Sequence, residues 1–108
     1  MPIEVGVVLE KDHRVETEDT AQFAGGKAFQ PVFSTPTLVG MLEDLSHEAI
    51  APFLREGQSS VGTMVCMRHL AATPVGMTVR LRVEVTEVVK RRIQFSIEAW
   101  DDVEQITS

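Results

Sequence analysis

Between Leu38 and Phe53 the apolar residues Leu38, Met41, Leu42, Leu45, Ala49 and Phe53 fall at i, i+3, i+4, i+7, i+11 and i+15, the period of a helix buried along one side. Ser34 or Thr35 can cap its start, and Pro36 suits the first helical position, where a missing N–H costs nothing. Pro52 should kink or end the helix, and Gly57 closes it at the latest. Beyond Gly57 the chain reads as strand after strand. SSVGTMVCMRHL reads as a strand, ATPVGM as a turn, and TVRLRVEVTEV as a second strand with Val79, Leu81, Val83 and Val85 on one face and Arg80, Arg82, Glu84 and Thr86 on the other. IQFSIEAW repeats the alternation with Ile93, Phe95, Ile97 and Ala99 inward, and VVKRR joins the last two strands as an antiparallel hairpin.

Upstream of the helix the pattern is weaker. The valine-rich run from Ile3 to Leu9 and the polar run from Glu10 to Thr20 predict short extended pieces with turns. AQFAGGKAFQPVF predicts a loop, because Gly25 and Gly26 break structure and Pro31 disfavours a helix at Gln30. The expected architecture is α+β, one helix laid on the apolar face of an antiparallel sheet.

Length and composition narrow this to one domain spanning residues 1–108, because 108 residues with 44% hydrophobic and 24% charged side chains suffice for one core and not for two. The start MPIEVGVVLEKDH lacks the basic opening and apolar run of a secretory signal, and no stretch is long enough to span a bilayer, so a cytoplasmic, membrane-free protein is expected. The single cysteine, Cys66, agrees with a reducing compartment and is read as a structural thiol. A net charge of −6 argues against nucleic acid as a partner, and the one basic cluster, Lys90, Arg91 and Arg92, reads as a solvated turn.

Three residues then stand out as chemistry: Thr35 at the helix start, Glu43 on the helix, and His69 at the end of the strand SSVGTMVCMRH. Glu43 lies about 100° round from Leu42, at the border of the buried face, where a carboxylate is partly desolvated. A carboxylate and an imidazole in a partly dry cleft can activate water or a nucleophile at neutral pH. Each has a plainer reading: Glu43 as a helix charge paired with His47 at i+4, His69 as a strand-end histidine with its polar edge in water, Thr35 as an N-cap. His13, His47 and His69 show no metal-ligand spacing, and Cys66 and His69, three apart on a strand, would point to opposite faces, which disfavours both a metal site and a cysteine nucleophile.

VFSTPTLVGMLE, SSVGTMVCMRHLAATPVGMTV and RRIQFSIEAWDDVEQI, in this order and at these intervals, resemble the fluoroacetyl-CoA thioesterase type of hotdog-fold thioesterases over residues 29–108. The most specific motif is VGT followed by HLAATPVGMTV. The resemblance implies a hotdog fold, an antiparallel sheet wrapped around one long helix, with two protomers joining their sheets and the thioester site at their interface. It places the family's catalytic threonine on Thr35, its glutamate on Glu43, its histidine on His69 and its strand glycine on Gly62, with Phe29 in the lid over the acyl pocket. The family continues past the position of Ser108 into a further strand carrying a histidine and an arginine, and residues 1–28 match only loosely. Fluoroacyl specificity is therefore not implied.

The expected activity is hydrolysis of a small acyl-CoA or similar thioester to an acid and a thiol, with no metal or prosthetic group and coenzyme A entering only as part of the substrate. The alternatives are a non-catalytic hotdog module that binds acyl-CoA or a related metabolite and, more weakly, a hotdog hydratase. Water activated by Glu43 and His69, or a covalent intermediate on Thr35 or Glu43, would serve. Amides at the helix start or at Gly62 would hold the oxyanion. Eight helical residues rise about 12 Å, so Thr35 and Glu43 share a site only if Thr35 curls back or Glu43 comes from a second protomer. A homodimer is the expected assembly, and a tetramer is compatible with it. A Glu43 carboxylate beside His69 would raise its pKa above the ordinary value of about 6.5.

Overall fold

A computed structural model of the chain describes residues 2–108. Strand β1 (Val8–Arg14) leads through a 3₁₀ turn (Thr17–Asp19) into the one-turn helix α1 (Ala21–Gly25), then the long helix α2 (Thr35–Ile50) and a second 3₁₀ turn (Ala51–Phe53). Strands β2 (Thr78–Val89), β3 (Arg92–Trp100) and β4 (Gln105–Thr107) follow. The sheet order is β1-β2-β3-β4, each neighbour antiparallel to the next.

Alternation along β2 decides which face α2 covers. Val79, Leu81, Val83 and Val85 are buried at 0–1% exposure. They form one core with Leu38, Leu42, Leu45 and Ala49 of α2, Ala99, Ile106, Val15 and Phe33 for all but Val85, which is buried further along the strand. On the other face Arg82 reaches Glu84 at 2.8 Å, Glu10 at 3.4 Å and Glu98 at 3.5 Å, a charged ladder set by the register Glu10–Arg82–Glu98. This half-solvated sheet is what an amphipathic antiparallel strand pair produces. The β2–β3 turn is Lys90–Arg91, and Lys90 takes φ 56° there; the basic cluster sits on this turn as expected.

The α2 stripe is placed as predicted, with two adjustments at its ends. Ser34 is the N-cap, accepting the Thr37 N–H at 3.2 Å; Thr35 is the first helical residue and Pro36 the second. The regular helix stops at Ile50, and Pro52 sits in the 3₁₀ turn that follows, since its ring and missing N–H would break an α-helical ladder.

Two expectations are corrected, over residues 21–33 and 59–70. Residues 21–33 are not all loop: Ala21–Gly25 is helical, because the Thr20 hydroxyl caps it at Phe23 N (3.1 Å) and Gly26 at φ 93° ends it. The short extended pieces with turns expected before Thr20 are present: Val5–Gly6 forms a turn with Gly6 N bonded to Val85 O at 2.9 Å, and β1 starts at Val8 within the valine run; β1 takes polar residues because it is a sheet edge with one face in water. SSVGTMVCMRHL is not a ladder strand among the described residues. Its end alone is paired, through the His69–Thr107 bridge, with Leu70 N on Ile106 O at 2.7 Å and Arg68 N on Ser108 O at 3.3 Å. A strand needs a hydrogen-bonding neighbour as well as a strand-forming sequence.

Candidate active site

Residues 54–72 run back along α2 and bring the candidate side chains to it in sequence. At the helix start the Thr35 hydroxyl lies 2.7 Å from His69 Nδ1. Thr35 is free for this contact because Ser34 does the capping. The approach to the helix is fixed from both sides: Ser34 N donates to Asp19 O at 2.9 Å and Phe33 N to Thr73 O at 2.8 Å. Asp19 is itself held by His13 and by the Glu16 N–H, both at 2.8 Å, and His13 stacks on Phe33.

His69 is held by its backbone, bridged to Thr107, and Thr107 Oγ1 donates to the neighbouring Arg68 carbonyl. Its Nε2 is buried, and no described residue meets it with hydrogen-bond geometry. Burial therefore dominates: it holds the imidazole below its ordinary pKa, and the nearby Ala71 backbone offsets this only in part. The expected upward shift is corrected. Glu43, two turns along the helix, is not among the groups acting on His69.

Glu43 is half-buried, as its border position predicts, and faces Gly62. A Cβ at Gly62 would lie 3.0 Å from Glu43 Cδ and closer still to Oε2, so only glycine leaves the carboxylate where it stands. The plainer pairing of Glu43 with His47 does not occur; His47 Nδ1 is bonded to Ser60 Oγ. Ser60 is a contact that spacing could not reveal. Its one sequence signal is its place two residues before Gly62.

Phe29 is half-exposed. Its ring lies on the backbone of Gly25, where a Cβ would meet Cδ2 at 2.5 Å, and its N–H donates to Gly26 O at 3.0 Å. Cys66 is exposed, which corrects the structural-thiol reading. Among the described residues no three His, Cys, Asp or Glu side chains gather to hold a metal, and no helix is long and apolar enough to cross a membrane. An open depression of about 510 Å³ on the outer sheet face is lined by Glu10, Asp12, Arg80, Trp100 and Asp101 among others. It lies across the sheet from α2, and its charged walls offer an acyl chain little to bind.

The family described as fluoroacetyl-CoA-specific thioesterase matches residues 15–108. The chain belongs to this family. The match begins 14 residues earlier than the resemblance read from the motifs, so it takes in the 3₁₀ turn and α1. The fluoroacetyl-CoA thioesterase of Streptantibioticus cattleyicolor is 41% identical over 80 residues, 74% of this chain and 58% of that protein; the match thus spans less than two thirds of the curated relative. A crystal structure of a mutant fluoroacetyl-CoA-specific thioesterase in complex with fluoroacetate and CoA superposes with a TM-score of 0.91 at 33% identity, covering 97% of this chain and 88% of that one. A Thermus thermophilus thioesterase superfamily member superposes with a TM-score of 0.90 at 30% identity, covering 98% and 78%. The fold is the hotdog of these thioesterases.

Proposed function

We propose that this protein hydrolyses a short acyl-CoA thioester to a carboxylic acid and free CoA, at a site shared between two copies of the chain. The observation that carries the reading is the bond between Thr35 Oγ1 and His69 Nδ1. A hydroxyl on a neutral imidazole, at the start of a helix whose free N–H groups favour developing negative charge, is the equipment of acyl transfer. Family membership and the relative bound to fluoroacetate and CoA support the same chemistry, and a formed Thr35–His69 pair favours turnover over binding alone.

In the proposed sequence Thr35 Oγ1 attacks the thioester carbonyl carbon as its proton passes to His69 Nδ1. Collapse breaks the C–S bond, and the imidazolium returns the proton to the departing thiolate. Water then attacks the acyl-threonine ester, giving one proton to a Glu43 carboxylate; the acid leaves and Thr35 takes the proton back. Thr35 is helical and Glu43 lies eight residues on, about 12 Å along the axis, so this carboxylate is Glu43 of the partner subunit, arriving with the Gly62 it faces. A 108-residue core also gains from the burial a dimer provides. CoA enters as the leaving group, and no cofactor takes part. Phe29 is proposed to border the acyl group, and the exposed lone Cys66 suits a reducing, cytoplasmic setting.

The test is thiol release from acetyl-, propionyl- and fluoroacetyl-CoA, with the mass of the protein in solution measured alongside. Turnover by a species of at least two chains is expected. Absence of thiol release from all three substrates would overturn the thioesterase reading, and an active monomer would overturn the shared site.

A further inference from the structure

The contact of Thr35 with His69 closes a ring of chain. His69 lies four residues before Thr73, whose carbonyl accepts the Phe33 N–H at 2.8 Å, and Phe33 lies two residues before Thr35. The Val32–Pro74 bridge continues this pairing. Where Thr73 stands therefore bears on how the hydroxyl and the imidazole meet. Thr73 is fully buried, and its own hydroxyl donates to Asp101 Oδ2 at 3.0 Å.

Asp101, half-buried, organises the turn between β3 and β4. Its Oδ1 accepts the Val103 and Glu104 N–H groups, each at 2.8 Å, and its own N–H donates to Glu104 O at 2.9 Å. Burial acts to raise its pKa, but the Glu104 and Val103 amides and the Thr73 hydroxyl together outweigh it and hold the carboxyl below its ordinary value, so it is an anion at neutral pH. Hydrogen bonds to an ionised acceptor are roughly twice as strong as neutral ones. The turn leads into β4, where Thr107 is bridged to His69 and Ile106 O accepts the Leu70 N–H at 2.7 Å. Both ends of the stretch His69–Thr73 are thus referred to one turn, His69 through β4 and Thr73 by a direct bond. We propose that Asp101, acting through the Thr73 hydroxyl, is a positioning residue of the thioester site: it sets how Thr35 Oγ1 and His69 Nδ1 stand relative to each other. This rests on the thioesterase reading above. Neither side chain is hydrogen-bonded to Thr35 or His69, so the influence passes through the backbone of the ring. Misplacing a reacting group by an ångström can lower a rate by about a hundredfold, and a displacement of a fraction of that is enough to be measured.

The experiment compares Thr73→Val, which keeps the side chain's shape and removes only the hydroxyl, with Thr73→Ser, Asp101→Ala and the double variant of Thr73→Val and Asp101→Ala. In Thr73→Val kcat for acetyl-CoA is expected to fall about tenfold with KM changed by less than about twofold, Thr73→Ser to recover most of the rate, and the double variant to be no slower than Asp101→Ala. Imidazole nitrogen NMR in mildly alkaline solution reads the pair independently of catalysis. The His69 Nδ1 resonance, assigned by its absence from His69→Asn, should move in Thr73→Val and Asp101→Ala and keep its wild-type position in Thr73→Ser. Unchanged kcat and Nδ1 resonance in Thr73→Val, even beside a lower melting temperature, would make the bond purely structural and overturn the proposal. Losses that add in the double variant, or a Thr73→Ser variant as slow as Thr73→Val, would overturn it as well. Should Asp101→Ala fail to fold, the pair Thr73→Val and Thr73→Ser still decides, since both leave the two turn amides bonded to Asp101. If the wild type releases no thiol, the thioesterase reading fails on that ground, and the Nδ1 resonance still decides whether Asp101 and Thr73 hold the pair.

Discussion

Thr35 and His69, 34 positions apart in sequence, meet at 2.7 Å between the first residue of α2 and the end of the segment that runs back along it. Capping and chemistry are divided between two neighbours, with Ser34 closing the helix and Thr35 left to the imidazole. The division can be tested by mutation. Thr35→Ala should lower kcat by about a hundredfold or more while the unfolding midpoint stays close to wild type. Ser34→Ala should instead cost about 1 kcal/mol of stability. Kinetics and chemical denaturation of both variants check this, and a Thr35→Ala enzyme of wild-type rate would return Thr35 to a structural role.

Because burial holds His69 below its ordinary pKa, its ring is neutral throughout the neutral range. The acid limb of kcat/KM should fall below about pH 6.5, with a plateau above it. His69→Asn should lose both the limb and most of the rate. Stability follows the same group. A histidine that binds its proton less readily when folded contributes fully above its unfolded pKa of about 6.5, and that contribution is lost as pH falls through the lower folded value. Urea denaturation across this window should show the loss in the wild type and a smaller one in His69→Asn.

The shared site makes a prediction that a single-chain site does not. Glu43→Gln keeps the side-chain shape and should lower kcat by about a hundredfold or more. Co-refolding it with Thr35→Ala should restore about a quarter of wild-type activity, since half of the randomly formed dimers then hold one intact Thr35, His69 and Glu43 set. Mixing two inactive variants without recovery would place all three groups within one chain.

Gly62→Ala puts a methyl group against the Glu43 carboxylate, 3.0 Å from Cδ. The carboxylate is the far end of a flexible side chain and can swing away, so the fold should survive. The rate should fall by about tenfold or more as Glu43 is displaced. Steady-state kinetics beside a circular dichroism melt separates the two effects.

Leu42 is 1% exposed in the core between α2 and the sheet. Leu42→Ala should cost about 2 to 5 kcal/mol, measured by denaturant titration. A cost under about 1 kcal/mol would show that α2 does not pack as described.

How much of this was legible in the sequence follows from which properties are local. The stripe from Leu38 to Ala49 and the alternation from Val79 to Val85 fix a helix and a strand by periodicity alone, and the turn at Lys90–Arg91 then forces the hairpin. Glu43 at the edge of its stripe was legible for the same reason. The partners were not. Spacing offered Glu43 to His47, and packing gave His47 to Ser60; spacing allowed Ser34 or Thr35 as the cap, and the approach of His69 accompanies Thr35 being left free. The run from Ser59 to Met67 reads as a strand candidate, yet pairing depends on a neighbour that no local pattern specifies. His69 was expected to titrate high beside a carboxylate, but within one chain Glu43 stands two turns away and the ring is desolvated, which lowers its pKa. Periodicity is a property of consecutive residues; contact, pairing and desolvation depend on what the folded chain brings alongside, and only the tertiary structure decides that.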